Sequence, residues 1–194
     1  MSGTTTSASS LASVGMELCV REATADDAHF LDYGFEQLSS RSRYYRFFSS
    51  MPRLPETLRN HLNDVDGLRH AAVIAFDCTS LAENESTEIG QHPVGVARWI
   101  ADSAGNHHLS VAVIDDYQGS GVGSALLDSL IELAASRGIV KLRADVLNDN
   151  LAMRALLRRR GAITVAGDDP SIVVFELPIP PSRIPPSPSP SPGT

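Results

Sequence analysis

The residues Tyr117-Gln118-Gly119-Ser120-Gly121-Val122-Gly123-Ser124 interleave glycines with serines, after an apolar run from Leu109 to Ile114 and before an amphipathic helical pattern. A strand, a glycine-rich turn and a helix start in that order aim several backbone N–H groups at one point, with the positive end of the helix dipole behind them. The chemistry such a turn performs is to hold a phosphate or pyrophosphate. Just upstream, His107-His108 supplies imidazoles, whose ordinary pKa of about 6.5 suits proton transfer at neutral pH. Adjacent residues on a strand point to opposite faces, so the two histidines do not read as a metal pair.

The elements that must position these residues follow from periodicity and punctuation. Glu17 to Arg21 reads as a strand. Thr24 and Asp26 cap a helix running to about Leu38, with Ala28, Leu31, Phe35 and Leu38 on one face. The segment from Ser39 to Phe48 is aromatic and basic, with Phe47 and Phe48 expected in the core. Pro55 opens a short helix through His61. Ala71 to Phe76 is a strand. Val94 to Ile100 and Leu109 to Ile114 form a hairpin around Asp102 to Asn106. After the glycine turn, Leu126, Leu127, Leu130, Ile131 and Ala134 make one helical stripe that stops at Gly138. Val140 to Leu147 is a strand, Asn150 caps a helix that ends at Arg158-Arg159-Arg160, and Ile163 to Val165 and Ile172 to Leu177 close the sheet. The sum is an α/β (α+β) domain, a mixed sheet with helices on both faces. Residues 1–15, rich in Ser, Thr, Ala and Gly, and the Pro/Ser-rich 178–194 are expected to lack structure, and 79–92 to be a polar, acidic loop. The folded domain then spans 16–177.

The formal charge of −7 over 194 residues argues against nucleic acid as a partner. No apolar stretch approaches the ~20 residues of a membrane span. The N-terminus lacks the basic-then-apolar order of a secretory leader. Cys19 and Cys78 lie in apolar surroundings and are expected to be buried, reduced thiols, which points to the cytoplasm.

Which phosphate-bearing ligand the turn takes can be narrowed. A P-loop needs Gly-Lys-Ser/Thr, and here Gly123 is followed by Ser124 and Ala125. A dinucleotide fingerprint needs G-x-G-x-x-G after the first strand and an acid at the end of the next; the spacing here is G-x-G-x-G, late in the domain, with Asp145 the nearest acid. The pattern Gln-x-x-Gly-x-Gly, after Asp-Asp-Tyr and before Ser-x-Leu-Leu, resembles motif A of the GNAT superfamily of acetyl-CoA-dependent N-acetyltransferases. Asn150, Met153, Leu156, Leu157 and Gly161 resemble the motif that follows it in that family. The resemblance covers about 17–177 and implies a central, mostly antiparallel twisted sheet. Leu38 to Phe48, Met51-Pro52-Arg53-Leu54, Asp64-Val65-Asp66 and Arg69-His70 look like the N-terminal half of bacterial Pat-type protein lysine acetyltransferases, which act on acyl-CoA synthetases. Some of those carry a regulatory nucleotide-binding domain or a synthetase-like domain, for which this chain is expected to have no room.

The resemblance implies acetyl-CoA as co-substrate, no metal, and a protein lysine or small amine as acceptor. Gln118, Gly119, Ser120, Gly121, Val122, Gly123 and Ser124 would hold the pyrophosphate, and Val111, Ala112 and Val113 the pantetheine arm. Asn150, and less so Asn148, would line the same wall. A bulge over about Val111 to Ile114 would free backbone groups, with the Val113 N–H facing the thioester carbonyl. Arg43, Tyr44 and Phe47 would shape the acceptor groove. Arg158 to Arg160 read as cations capping a helix C-terminus, with contact to the CoA 3′-phosphate as the other reading. A free lysine is neutral only about once in 2,500 at pH 7, roughly 4–5 kcal/mol against reaction, so a proton acceptor matters. Where Pat-type sequences carry a glutamate as general base, this chain has His108. Three readings stay open: His108 is the base, a water chain relays the proton past it, or the protein binds acyl-CoA with little catalysis. Leu157 replaces a tyrosine that serves many GNAT enzymes as general acid, and Tyr117 reads as a packing residue.

Overall fold

A computed structural model describes residues 7–11, 16–79 and 92–181. Its strands are β1 (Ser7–Leu11), β2 (Met16–Glu22), β3 (His70–Asp77), β4 (His92–Ala101), β5 (His107–Val113), β6 (Lys141–Leu147), β7 (Ile163–Val165) and β8 (Ile172–Pro178). They form one sheet in the order β1-β2-β3-β4-β5-β6-β8-β7. Every neighbouring pair is antiparallel except β5 and β6, which are parallel. The helices are α1 (Ala28–Glu36), α2 (Ser40–Phe47), α3 (Glu56–Asn63), α4 (Val122–Ser136) and α5 (Leu151–Arg159).

Alternation along β3 divides the core between two faces. Ala71, Val73 and Ala75 face α4, whose Leu126, Leu127, Leu130 and Ala134 are buried against them; Leu157 of α5 joins the same cluster. Ala72, Ile74 and Phe76 face the other way, toward Ala23 and Phe30. Phe35 of α1, Leu54 and Leu62 of α3 make a third cluster on that second face, with Ile100 and Phe47 against it. The expected stripe on α4 is therefore the one buried, and Gly138 ends the helix at φ 72°.

The hairpin turns where expected, Asp102 N–H donating to the Asn106 carbonyl at 2.9 Å. On β4, Gly95 sits so close to the Ala112 carbonyl and to Leu126 that a Cβ would lie 2.9 and 2.8 Å from them. Among the described residues no helix is long and apolar enough to cross a membrane.

Four sequence-based expectations are corrected. Ser7–Leu11 is not structureless: it adds to the open edge of β2, with Ser7 opposite Val20 and Leu11 opposite Met16, a pairing made by backbone groups that composition does not report. Cys19 and Cys78 are joined as a disulfide. The register puts Cys19 opposite Phe76, so Cys78 is its diagonal neighbour on the same face, with Cα atoms 6.0 Å apart, inside the span a disulfide bridges. Phe48 is not in the core: it ends α2 in the left-handed region at φ 54° and is exposed. At the other end, the sheet runs to Pro178, and buried Ile179 donates its N–H to the Val140 carbonyl. The acidic loop and the rest of both tails lie outside the described residues.

Candidate active site

The glycine turn folds as its spacing implies. Gly119 and Gly121 occupy positive φ, 78° and 97°, a region that costs L-residues with a Cβ. The helical bonding of α4 starts with Ser124 and Ala125, whose N–H groups both reach the Gly121 carbonyl, at 2.9 and 3.1 Å. The N–H groups just before them are those an α-helix leaves without an internal acceptor. The Ser120 hydroxyl is turned inward onto the Tyr117 carbonyl at 2.5 Å. The exposed Gln118 is tied to its neighbours: its amide donates to the Val113 carbonyl at 3.0 Å and to Ser42 Oγ at 3.1 Å. Asp115 draws α2 onto this turn by accepting from the Ser39 N–H at 2.8 Å and from the hydroxyls of Ser39 and Ser42 at 2.7 and 3.0 Å. Tyr117 packs as expected. Its hydroxyl donates to Asp77 at 2.9 Å, and burial, with that carboxylate beside it, pushes it up to about 12.

Arg160 departs from the expected solvated cap. Its guanidinium grips both oxygens of Asp128, at 2.9 and 2.8 Å, and bonds the Ser124 hydroxyl. A cation thus stands at the side of the α4 N-terminus. Arg158 lies over the Phe175 ring, 5.7 Å from its centroid. Asn150 caps α5 by accepting from the Met153 N–H at 3.1 Å. Asn148 is held by Arg154, whose guanidinium donates to its Oδ1 at 2.8 Å.

Beside the turn the sheet opens. β5 and β6 are paired at His108 and Arg143 alone, and the two strands diverge from there toward the glycine turn. The register of β5 on β4 runs unbroken from Ala101–His107 to Gly95–Val113, so the bulge expected over Val111 to Ile114 is absent from β5. The register shift lies instead between β3 and β4, at Ala75 and Phe76. Divergence replaces the bulge as the device that frees backbone. Ile114 donates its N–H to the Val94 carbonyl at 3.0 Å. Counting back by twos, Ala112 also bonds toward β4, whereas Val111 and Val113 turn their backbone groups to the open side. Of the three valine and alanine positions expected to serve a ligand, the backbone of Ala112 is therefore engaged, Val111 lines the cleft, and Val113 turns its N–H to the open side while its carbonyl is taken by the Gln118 amide.

His108 stands at the vertex of this cleft, with Val111, Asp145, Tyr45, Phe48 and Met153 among its walls. Its Nε2 lies 3.1 Å from Asp102 Oδ2 and its Nδ1 3.9 Å from Asp145 Oδ2. Hydrogen bonds from Asn106 and from His108 itself hold the Asp102 carboxyl far below the usual carboxylate range. An ionised carboxylate only accepts, so Nε2 carries the hydrogen, and the neutral ring keeps its lone pair on Nδ1. Asp145 is further set by Arg143, whose Nε is 3.5 Å from Oδ1. That Oδ1 is buried with no hydrogen-bond partner among the described residues. An imidazole oriented by one carboxylate and facing a second can accept a proton and stabilise the cation that results. His107 points the opposite way, onto Trp99 with ring centroids 6.4 Å apart.

The three residues expected to shape the acceptor groove are placed elsewhere. Arg43 clips α1 by donating to the carbonyls of Phe35, Glu36 and Pro52, each at 3.2 Å. Phe47 packs on Phe35 with ring centroids 5.7 Å apart, and Tyr44 is exposed. The helical phase of α2 turns Tyr45 and Arg46 toward the cleft instead, followed by Phe48. Leu157, at the position of the missing general acid, is fully buried in the core. Asp102, Asp145 and Tyr45 were not identified as site residues from sequence, whereas Arg46 belongs to the basic, aromatic segment expected beside the acceptor groove. Asp145 alternates with Lys141 and Arg143 along β6, so its charge does not stand out from its own strand.

The described residues fit an acyl-CoA: helix-terminal donors for a pyrophosphate, an open backbone edge beside them for an amide-bearing arm, and an imidazole at the vertex. Among them, no group of His, Cys, Asp and Glu is placed to hold a metal ion. Similarity to known proteins points the same way. The acetyltransferase (GNAT) family profile matches residues 39–162. Acetyltransferase Pat of Mycolicibacterium smegmatis is 33% identical over 145 residues, 73% of this chain and 40% of Pat. The chain thus spans less than half the length of that relative. Acetyltransferase PA5475 of Pseudomonas aeruginosa is 26% identical, covering 83% of both chains. Among solved structures, the GNAT domain of S. lividans PAT superposes with a TM-score of 0.73 at 26% identity, over 89% of this chain and 96% of that one.

Proposed function

The chain belongs to the GNAT family of acetyltransferases, and from that premise we propose that it acetylates the Nε of protein lysines, with acyl-CoA synthetase-type proteins as acceptors. It is an N-acetyltransferase, and its family uses acetyl-CoA as co-substrate. Acetyl-CoA supplies a thioester already activated toward an amine. The chain's part is to hold it, to orient the amine and to remove a proton. In this reading Gln118 to Ser124 and the α4 N-terminus take the pyrophosphate, and the freed N–H groups of Val111 and Val113 take the pantetheine arm and the thioester oxygen. Asn150 completes the wall.

The observation that carries the reading is His108. Asp102 fixes its tautomer so that Nδ1 faces the cleft that Val111 lines. Nδ1 accepts the proton of the attacking amine, and Asp145 steadies the imidazolium while offering a carboxylate to the incoming ammonium. Lysine as acceptor is supported by the similarity to Pat and to the PAT domain. A cytoplasmic setting belongs to the same reading. The Cys19–Cys78 bond would be favoured by an oxidising compartment, so alkylation of freshly lysed cells tests that part.

The test of function is to incubate the protein with acetyl-CoA and a panel of acyl-CoA synthetases, following free thiol and acetyl-lysine. Transfer to at least one synthetase, lost in His108→Ala, is expected. CoA binding without transfer to any would sink the lysine reading, and thiol release with a panel of small amines would replace it by a metabolite acetyltransferase.

A further inference from the structure

A second cavity lies on the opposite side of α2 from the cleft, between α1, α3 and the sheet. Its volume is about 80 Å³ and its walls are mostly apolar, Phe30, Phe35, Phe47 and Val96 among them. Two arginines break that lining, Arg46 and Arg98. Arg98 is only 5% exposed. One of its terminal nitrogens donates to the Leu62 carbonyl at 2.7 Å and lies 3.2 Å from His70 Nε2. Burial takes the His70 ring down to about 4, so it is neutral at physiological pH and can only accept from a guanidinium. The Arg98 Nε is buried with no hydrogen-bond partner among the described residues. Arg46 lies over the Phe47 ring, 4.7 Å from its centroid. Neither arginine has a carboxylate within ion-pair distance among the described residues. Asp27 lines the far end of the same cavity, but Arg21 holds both its oxygens, at 2.7 and 2.8 Å.

Two cations on one apolar cavity are unfavourable unless an anion joins them, because each is desolvated and they repel. Burial lowers Arg98 to about 9 and Arg46 to about 10, which leaves both charged at pH 7. The geometry points to a ligand site here for a short aliphatic carboxylate, its carboxylate on Arg98 and Arg46 and its chain among the phenylalanines. The size agrees: at ~10–15 Å³ for each water-sized occupant the cavity holds roughly five to eight heavy atoms, the range from propionate to a six-carbon acid. A larger or doubly charged anion such as phosphate would find one hydrogen-bonding end and no use for the apolar wall. The site shares Arg46 with the cleft, which that side chain borders from the other side of α2, but none of the glycine-turn residues and neither His108 nor Asp145 lines it.

The experiment is calorimetric titration of the intact chain at pH 7 with butyrate, its neutral isostere butyramide and inorganic phosphate, beside a spectrum of the arginine Nε–H resonances. Butyrate is expected to bind at least tenfold more tightly than butyramide or phosphate and to shift the Arg98 Nε signal. Arg98→Met should weaken butyrate at least tenfold. Arg46→Met, at a half-buried position where folding is safer, should weaken it three- to tenfold. Equal binding of butyrate and butyramide, no binding of butyrate, tighter binding of phosphate, or butyrate binding that leaves both the Arg98 signal and Arg46→Met unchanged would each overturn the site.

Discussion

The turn at the start of α4 and the vertex of the β5–β6 cleft lie side by side, yet they are built in opposite ways. The turn is one uninterrupted stretch, and most of what it offers is backbone: donors freed by a helix terminus, set by two glycines at positive φ. The vertex is assembled from the β4–β5 connection, β5, β6 and α2, and what it offers is side chains held by one another. A backbone site depends on conformation and tolerates many neighbours. A side-chain site depends on charge and fails when a single partner is removed.

That contrast can be broken most sharply at His108. Replacing it by alanine should lower kcat by about 10²–10³-fold, within the span usual for a general base, while the CoA dissociation constant changes less than twofold. Stopped-flow thiol release and calorimetry separate the two. His108→Glu should restore part of the rate; a variant faster than the parent would mean that histidine is a decayed base. Acid comes next. In the folded chain the buried His70 ring is held down to about 4, against 6.5 when exposed. Between those values the unfolded chain binds the extra proton, so this contribution is complete above pH 6.5 and falls away as pH drops toward 4, by roughly 2–4 kcal/mol in all. Urea unfolding at stepped pH should show that slope, and His70→Gln should flatten it.

The turn should answer only to conformation. Gly121→Ala forces a Cβ into the left-handed region at a cost of about 1–2 kcal/mol, which should weaken CoA binding about 5- to 30-fold and leave kcat for bound substrate nearly unchanged. Gly123 has no such φ, and its Cβ would meet Leu156 and Val113 at an ordinary 3.7 Å. Gly123→Ala should therefore bind CoA less well than the parent only if a ligand passes close to that Cα, which makes the pair of variants a measure of approach. The smallest effect expected is Asn150→Ala. It removes the cap of α5 and should lower stability by about 1 kcal/mol, read by thermal unfolding, with little change in rate.

The same contrast explains what could be read from residue order. The glycine turn, the α4 stripe, the Asp102–Asn106 hairpin and the Asn150 cap each depend on neighbours within a few residues, and each appears in the structure. Asp102 was legible as a turn residue, and its second use, orienting His108, arises only when β4 and β5 pair. Asp145 and His108 meet through a parallel pairing across α4 that no local pattern announces. On α2 the aromatic and basic character was evident but its phase was not: Arg43 and Phe47 share the face toward Phe35, which leaves Tyr45 and Arg46 for the cleft. The Cys19–Cys78 bond likewise depends on the β2–β3 register rather than on the composition around either residue.

The divergence of β5 from β6 has a consequence for association as well as for binding. A strand whose N–H and C=O groups lack a partner invites pairing with another molecule, and natural sheets shield such edges. Here two unpaired ladders lie within the sheet and face each other across a narrow opening, roofed on one side by Tyr45 and Phe48. A foreign strand has no straight approach to either of them. A ligand thin enough to lie lengthwise between the strands does, so the opening sorts what may pair with the chain by cross-section before any side chain is consulted.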